Sequence, residues 1–492
     1  MKRRRNKDRS TYNEKDSIRC SSGDKSSSEQ IGQRPIPRSV AYLLFGLTPT
    51  FPLELFRVIS GGLFVAYYIE LIFTSQDLIG RYGLLDAEVT RNLLFDAYID
   101  LFLPHAPAGV VVAVWVVAAI LALLLLIGYQ ARLCAFLLFA ISVSTFRRLY
   151  IVSQLDDFII CYLSFWLALL PIGRGLNLYR ALTRGKLYLS ETLALSVEGA
   201  SLRLFIASLC LIYFDLGLFR YNVPGWHSNM IVESALCFYP VLWLIGKGSK
   251  AWLLLLTAQI GLHTYLLVAI GAPYTNIGLI SSGLLFFPSR INGLVKRHSR
   301  PVIEPVPSRL GLSAAVAIVY LFLSAGFWAG GLPHLQSLRN GTGRLLRKTS
   351  LLPQLSLQSA SSFRINDKNI ISFIDADGNP IIPGRSWPKG LRFRLLQSYL
   401  IEKGWRALDA EKRYELKKSL VKRGATRICK YDTPAREPLT IRVRNARLAR
   451  TEDSLNPPET TLGLFSCNRA KDEAEFITLK LEKARANRNP QE

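Results

Sequence analysis

The chain has 492 residues, 61 Lys/Arg against 36 Asp/Glu and a formal net charge of +25, yet half of its residues are hydrophobic and its mean hydropathy is +0.21. A charged fraction of only 20% is not the balance of a soluble basic protein, and abundant aliphatic and aromatic residues exclude disorder over most of the chain. Residues 1–38 hold 11 Lys/Arg and 5 Asp/Glu, residues 39–330 hold 19 and 14, and residues 331–492 hold 31 and 17. The basicity therefore sits at the two ends, and no nucleic-acid partner is expected.

Residues 1–38 are polar and read as a disordered basic cytoplasmic tail. They stay polar for longer than the n-region of a cleavable signal, so the first apolar segment is expected to anchor the chain. Apolar runs follow at about 53–73, 109–128, 132–151, 157–172, 200–218, 231–245, 251–270, 275–288 and 311–330; the 18 residues 110–127 carry no charge at all, the length a bilayer crossing needs. Nine crossings over residues 39–330 place the basic loops 173–199, 246–250 and 289–310 on the cytoplasmic side, in accord with the positive-inside rule. Loop 74–108, with two Arg against five acids, then faces out. An odd count puts residues 331–492 outside as well. The expected architecture is an all-α polytopic membrane bundle in a bacterial plasma membrane, with membrane lipids as its immediate surroundings. Arg147 and Arg148 are the exception: cations at the outer end of the third span run against the rule, so they either snorkel to headgroups or have a function.

The C-terminal part, residues 331–476, reads as a small α+β extracytoplasmic soluble domain. Residues 369–374 and 380–383 form strands around the turn 375–379; 391–400 and 410–422 read as helices, 427–431 and 439–444 as strands, and 477–492 as a disordered tail. No Cys or His pair has metal-ligand spacing, and no cofactor is evident. Cys429 and Cys467 would share an oxidising compartment, which leaves a disulfide between them open.

Ionisable residues within lipid are costly and are site candidates by default. The spans carry Arg57, Glu70, Asp156, Asp157, Arg203, Asp215, Glu233 and His263. Pairing across the bundle accounts for an Arg facing a carboxylate without any chemistry. His263 differs, since a neutral imidazole sits in a bundle at modest cost and titrates near neutral pH. The outward loop 220–230 adds Arg220, Trp226 and His227. With Arg147, Arg148, Asp156 and Asp157, these residues are candidates to line one outward-facing cavity.

Several segments resemble the HTTM domain. They are Phe56-Arg57-Val-Ile-Ser-Gly-Gly62; Leu126-Ile-Gly-Tyr129 with Arg132; Asp156-Asp157 with Phe165-Trp166 and Leu170-Pro171-Ile-Gly-Arg174; Tyr213-Phe-Asp-Leu-Gly217 with Arg220 and Trp226; and Ile260-Gly-Leu-His263 followed by Leu284-Leu-Phe-Phe-Pro288. The match runs in the family's order over about 53–290. That family includes the vitamin K-dependent γ-carboxylases and the membrane component of a sporulation-delaying toxin maturation system. The resemblance implies a bundle whose active centre opens to the lumenal or periplasmic side. In the carboxylases a lysine after the YF-x-x-G segment deprotonates the hydroquinone. Arg220 stands here instead, and a guanidinium stays protonated, so it cannot be that base. Vitamin K-dependent carboxylation is accordingly disfavoured, as is transport, because no inverted repeat is evident.

Two function classes remain open. One is a divergent HTTM protein that acts on, or helps mature, an exported peptide or lipid-like molecule at the outer face. In that reading His263 transfers a proton, Arg220, Arg147 and Arg148 hold an anionic group, and Asp156 and Asp157 orient them. The other is a non-catalytic scaffold or export-assisting protein in which the same residues are bundle salt bridges. An exported peptide or an anionic envelope component is the expected partner in either case.

Overall fold

A computed structural model describes residues 47–85, 103, 106–149, 152, 155–176, 179, 196–221, 251–270, 272–295, 312–329, 336–348, 369–374, 380–381, 410–431, 439–445, 459–468 and 473–479. The described part is mostly helical. Strand β1 (Leu47–Pro49) leads into helix α1 (Thr50–Leu78), followed by α2 (Ala108–Ile127), α3 (Ala131–Arg148), α4 (Leu155–Leu169), strand β2 (Ser196–Glu198), α5 (Ala200–Tyr221), α6 (Ala251–Ile270), α7 (Pro273–Gly283), α8 (Pro288–Val295), α9 (Leu312–Ala329) and α10 (Gln336–Lys348). Helices thus occupy eight of the nine apolar runs. The remaining run, 231–245, and the tail 1–38 lie outside the described residues, as do Asp215 and Glu233 or their side chains. By length and composition α1 and α2 are long and apolar enough to cross a membrane, and shorter apolar stretches lie in α5, α6 and α9.

Helix α2 shows what such a composition does. All of its residues are apolar, yet only Val111, Trp115, Ala118, Ala122 and Leu125 are buried, spaced four and three residues apart along one stripe. Val116, Val117, Ile120 and Leu123 are 42–52% exposed. A helix buried on one face and apolar on every face has nothing polar to offer water. Along the buried stripe, Trp115 Nε1 donates to Thr145 Oγ1 (3.2 Å), and Gly61 brings α1 against α2 so closely that a Cβ there would lie 2.9 Å from Leu126 Cα.

One end of the bundle is organised around Arg57. Its Nε donates to Glu54 Oε2 (2.7 Å), its Nη1 to the carbonyls of Leu125 and Leu126, and its Nη2 to that of Leu176 (2.5 Å). Glu54 Oε1 in turn accepts from the amides of Arg174 (3.0 Å) and Gly175 (3.1 Å). Both side chains are fully buried. Leu125 and Leu126 close α2, where helix carbonyls run out of intrahelical donors, and Gly128 turns the chain with φ +85°, so close that a Cβ there would sit 3.3 Å from the guanidinium. Segments far apart in sequence, Glu54–Arg57, Leu125–Gly128 and Arg174–Leu176, thereby meet at one point. At the same end β1 pairs antiparallel with β2, and Arg132 donates to Leu169 O (3.2 Å) and Ser313 Oγ (2.6 Å). The helices therefore alternate in direction, with Arg147, Arg148, Asp156 and Asp157 at the opposite end.

Beyond the bundle the chain forms a five-stranded antiparallel sheet of order β4-β3-β5-β6-β7, comprising β3 (Asn369–Ile374), β4 (Pro380–Ile381), β5 (Leu439–Asn445), β6 (Glu459–Asn468) and β7 (Glu473–Leu479), with α11 (Ala410–Tyr431) against β6 and β7. The expected hairpin is present, with Phe373 opposite Ile381, while the expected helix 391–400 lies outside the described residues. Two expectations are corrected. Residues 427–431 are not a strand but the end of α11, because Leu420, Val421, Ala425 and Ile428 form one buried helical face that overrides the β-propensity of Ile428 and Tyr431. The C-terminal boundary at 476 also falls short, since β7 continues to Leu479. A disulfide joins Cys429 of α11 to Cys467 of β6.

Removing one partner of a buried ion pair strands the other charge, at a cost of about 3–5 kcal/mol. Arg57→Leu should accordingly lower the unfolding free energy of the detergent-solubilised protein by that amount, and Arg57→Leu with Glu54→Leu should recover part of it.

Candidate functional site

The first turn of α7 assembles the site. Pro273 occupies its opening, where a missing N–H costs nothing, and the next positions present Tyr274, Thr275 and Asn276. Asp156, in the first turn of α4, accepts from Thr275 N (2.7 Å) and Thr275 Oγ1 (2.6 Å) through the same oxygen. A carboxylate thus sits at the positive end of α7, supplied by a different helix. The neighbouring Asp157 accepts from Tyr67 Oη of α1 (2.5 Å), and Tyr274 Oη donates to Glu70 Oε2 of α1 (2.6 Å). Tyr67 meets Tyr274 edge-on, with ring centroids 5.6 Å apart.

One residue further, Asn276 reaches His263 of α6. The Asn276 amide sets the direction of its bond to the imidazole. Asn276 Nδ2 donates to Ala272 O (2.8 Å), which leaves Asn276 Oδ1 as the acceptor facing His263 Nδ1 (3.1 Å). His263 therefore carries a proton on Nδ1, and in the neutral ring Nε2 accepts from Tyr213 Oη at 2.9 Å. Tyr213 Oη in turn accepts from Gln259 Nε2 (3.1 Å), which also donates to Leu279 O (3.0 Å). One tautomer, neutral imidazole with a basic Nε2, serves the whole network. His263, Gln259 and Asn276 are only 1–3% exposed. If Nε2 took the Tyr213 proton, the resulting phenolate would face two donors, the imidazolium N–H and the Gln259 amide, so the arrangement can hold a proton transfer without rearranging side chains.

Asp156, Asp157 and His263 are thus brought into one region, joined through the Thr275–Asn276 step. Arg147 and Arg148 close α3 at the same end and are enclosed by the bundle, 1% and 2% exposed, which is not a headgroup-seeking position. Arg147 and Asp157 both lie within electrostatic reach of Cys161. Arg220 falls in the last turn of α5, two turns beyond Tyr213. Trp226 and His227 lie outside the described residues.

Thr275, Asn276 and Gln259 were not among the expected site residues. All three are neutral, so a search for charge within apolar runs passes over them. The available signal was Pro273 followed by Thr275 and Asn276, a helix start set inside an apolar stretch. Among the described residues, no group of three or more His, Cys, Asp or Glu has the geometry to hold a metal ion. No family model, no curated protein and no solved structure matches the chain.

A hydrogen bond to a charged acceptor contributes about 1.5–3 kcal/mol. Thr275→Val, which keeps the backbone donor and the shape but removes the hydroxyl, should cost about that much in unfolding free energy, whereas Asp156→Ala should cost more and speed amide exchange through the first turn of α7.

Proposed function

We propose that the chain is a multi-pass plasma-membrane protein of the HTTM family, divergent from the carboxylases, that acts on or helps mature an exported peptide or lipid-like molecule at the outer side of the membrane. The observation that carries this reading is His263, held by Asn276 in the tautomer that leaves Nε2 as a base toward Tyr213, in a network tied through Thr275 to Asp156. The segments behind the family resemblance support it as well. Phe56-Arg57, the 126–129 turn and the run ending at Arg174 converge on one buried ion pair, and Tyr213 and His263, from two of the later segments, are hydrogen-bonded.

Nine spans and an outer α+β domain over 331–476 complete the reading. The alternating helix directions support the count, since α5 ends at the Asp156 end and α6 begins at the Arg57 end, consistent with a crossing by 231–245. The Cys429–Cys467 disulfide supports an oxidising outer compartment for the C-terminal region. An anionic substrate group would be held by Arg220, with Arg147 and Arg148 tuning the site from within, and His227 and Trp226 at its mouth.

A scaffold or export-assisting role without chemistry is the second reading. It is favoured by the saturation of the His263 network, in which each side chain already has a partner within the protein.

His263→Ala and Arg220→Ala separate the two. Both should abolish the cellular phenotype of the wild-type gene while the proteins still insert and accumulate; unchanged phenotypes would leave the scaffold reading. Topology has its own test: fusions after residue 190 should report a cytoplasmic position and fusions after residue 340 an outer one. A cytoplasmic residue 340 removes the outer domain and the outward site together.

A further inference from the structure

We propose that the Cys429–Cys467 disulfide is a redox-sensitive fastening that keeps α11 clamped on the C-terminal end of α1. The clamp is made by the last two turns of α11. Arg427 Nη2 bonds Asp77 Oδ1 (2.6 Å) and its Nη1 donates to Tyr82 O (3.0 Å), while Arg423 Nη1 donates to Gly83 O (2.8 Å). Lys430 lies 5.6 Å over the Tyr82 ring, and Tyr431 meets that ring edge-on.

Every one of these contacts is polar or aromatic and depends on register. Asp77 is 42% exposed but Arg427 only 2%, so the ion pair joins a buried guanidinium to a carboxylate still open to water, and it depends on where the end of α11 holds Arg427. Their geometry is set by where the end of α11 is held. Cys429 sits among the gripping residues, between Arg427 and Lys430, and its partner Cys467 lies on β6, an inner strand of the sheet, two residues from the fully buried Phe465. The bond therefore bolts the gripping turn to the sheet and closes a segment of sequence separation 38, whose freedom returns when the bond is opened.

The pair is also the accessible redox centre among the described residues. Cys429 and Cys467 are half-buried, whereas Cys134, Cys161 and Cys210 are buried thiols within helices. A dithiol reductant supplies the two electrons. Its thiolate attacks one sulfur and forms a mixed disulfide, its second thiol displaces that sulfur, and the products are two protein thiols and the oxidised dithiol. Leu420, Val421, Ala425 and Ile428 remain buried against the rest of the protein, so the end of α11 loosens while the helix stays packed.

The test is hydrogen exchange on the full-length protein in detergent, before and after dithiothreitol, with thiols at 429 and 467 counted by mass. Reduction should accelerate exchange of amides 77–85 by about tenfold or more and leave the α2–α3 turn at 124–134 unchanged. Cys429→Ser with Cys467→Ser should match the reduced protein, and Asp77→Asn should loosen 77–85 in the oxidised one. Unchanged exchange at 77–85 with both thiols counted overturns the proposal, as does uniform acceleration along the chain. If the double variant does not accumulate, reduction of the folded wild-type protein decides the question.

Discussion

The fold depends on the buried Arg57–Glu54 pair. A charge taken out of water is tolerated only when geometry and additional hydrogen bonds offset the loss of hydration. Arg57 meets that demand with three carbonyls besides Glu54, and Glu54 with two backbone amides. None of those backbone groups belongs to α1. The pair therefore uses its own desolvation to fix where α2 ends and where the chain after α4 turns back. The register of α1 on α2 is fixed jointly by the ion pair and by the close approach of Gly61 to Leu126.

At the other end the same logic operates with weaker partners. Asp156 satisfies the start of a helix from outside it, and that helix carries Asn276, which sets the His263 tautomer. A single short element, α7, so links the position of a carboxylate on α4 to the tautomer of an imidazole on α6. Its eleven residues give roughly 16 Å of helix. The chain then turns through residues 284–287 and resumes as α8, and the break lets two short helices take the place of one long one. Gly283 is packed there against Gln259, where a Cβ would lie 2.9 Å from the amide oxygen.

Helix positions were legible in the sequence because long apolar runs leave few alternatives, and the hairpin at 369–381 because its turn residues punctuate alternating strands. The buried pair was half legible: Arg57 stood out as a charge in an apolar run, while Glu54 lay at the run's edge and was passed over, although the i, i+3 spacing places the two side by side on a helix. Strands β6 and β7 were missed, since a Pro-Pro step immediately before Glu459 and the charges around β7 mask their alternation. The end of α11 was read as a strand because Ile428 and Tyr431 favour one locally, and only the tertiary face formed with Leu420 and Ala425 decides against it. His263, Asp156 and Asp157 were singled out through their cost in an apolar setting. Their connection runs through uncharged residues whose importance is purely positional.

The Asp156–Thr275 contact joins residues 119 positions apart. At roughly 5–20 residues per second, a ribosome takes on the order of 6–24 s to deliver Thr275 after Asp156. Throughout that interval α4 exists without the helix whose amide it caps. Assembly of the bundle is thus ordered in time as well as in space, with Asp156 waiting for a partner made well after α4 itself.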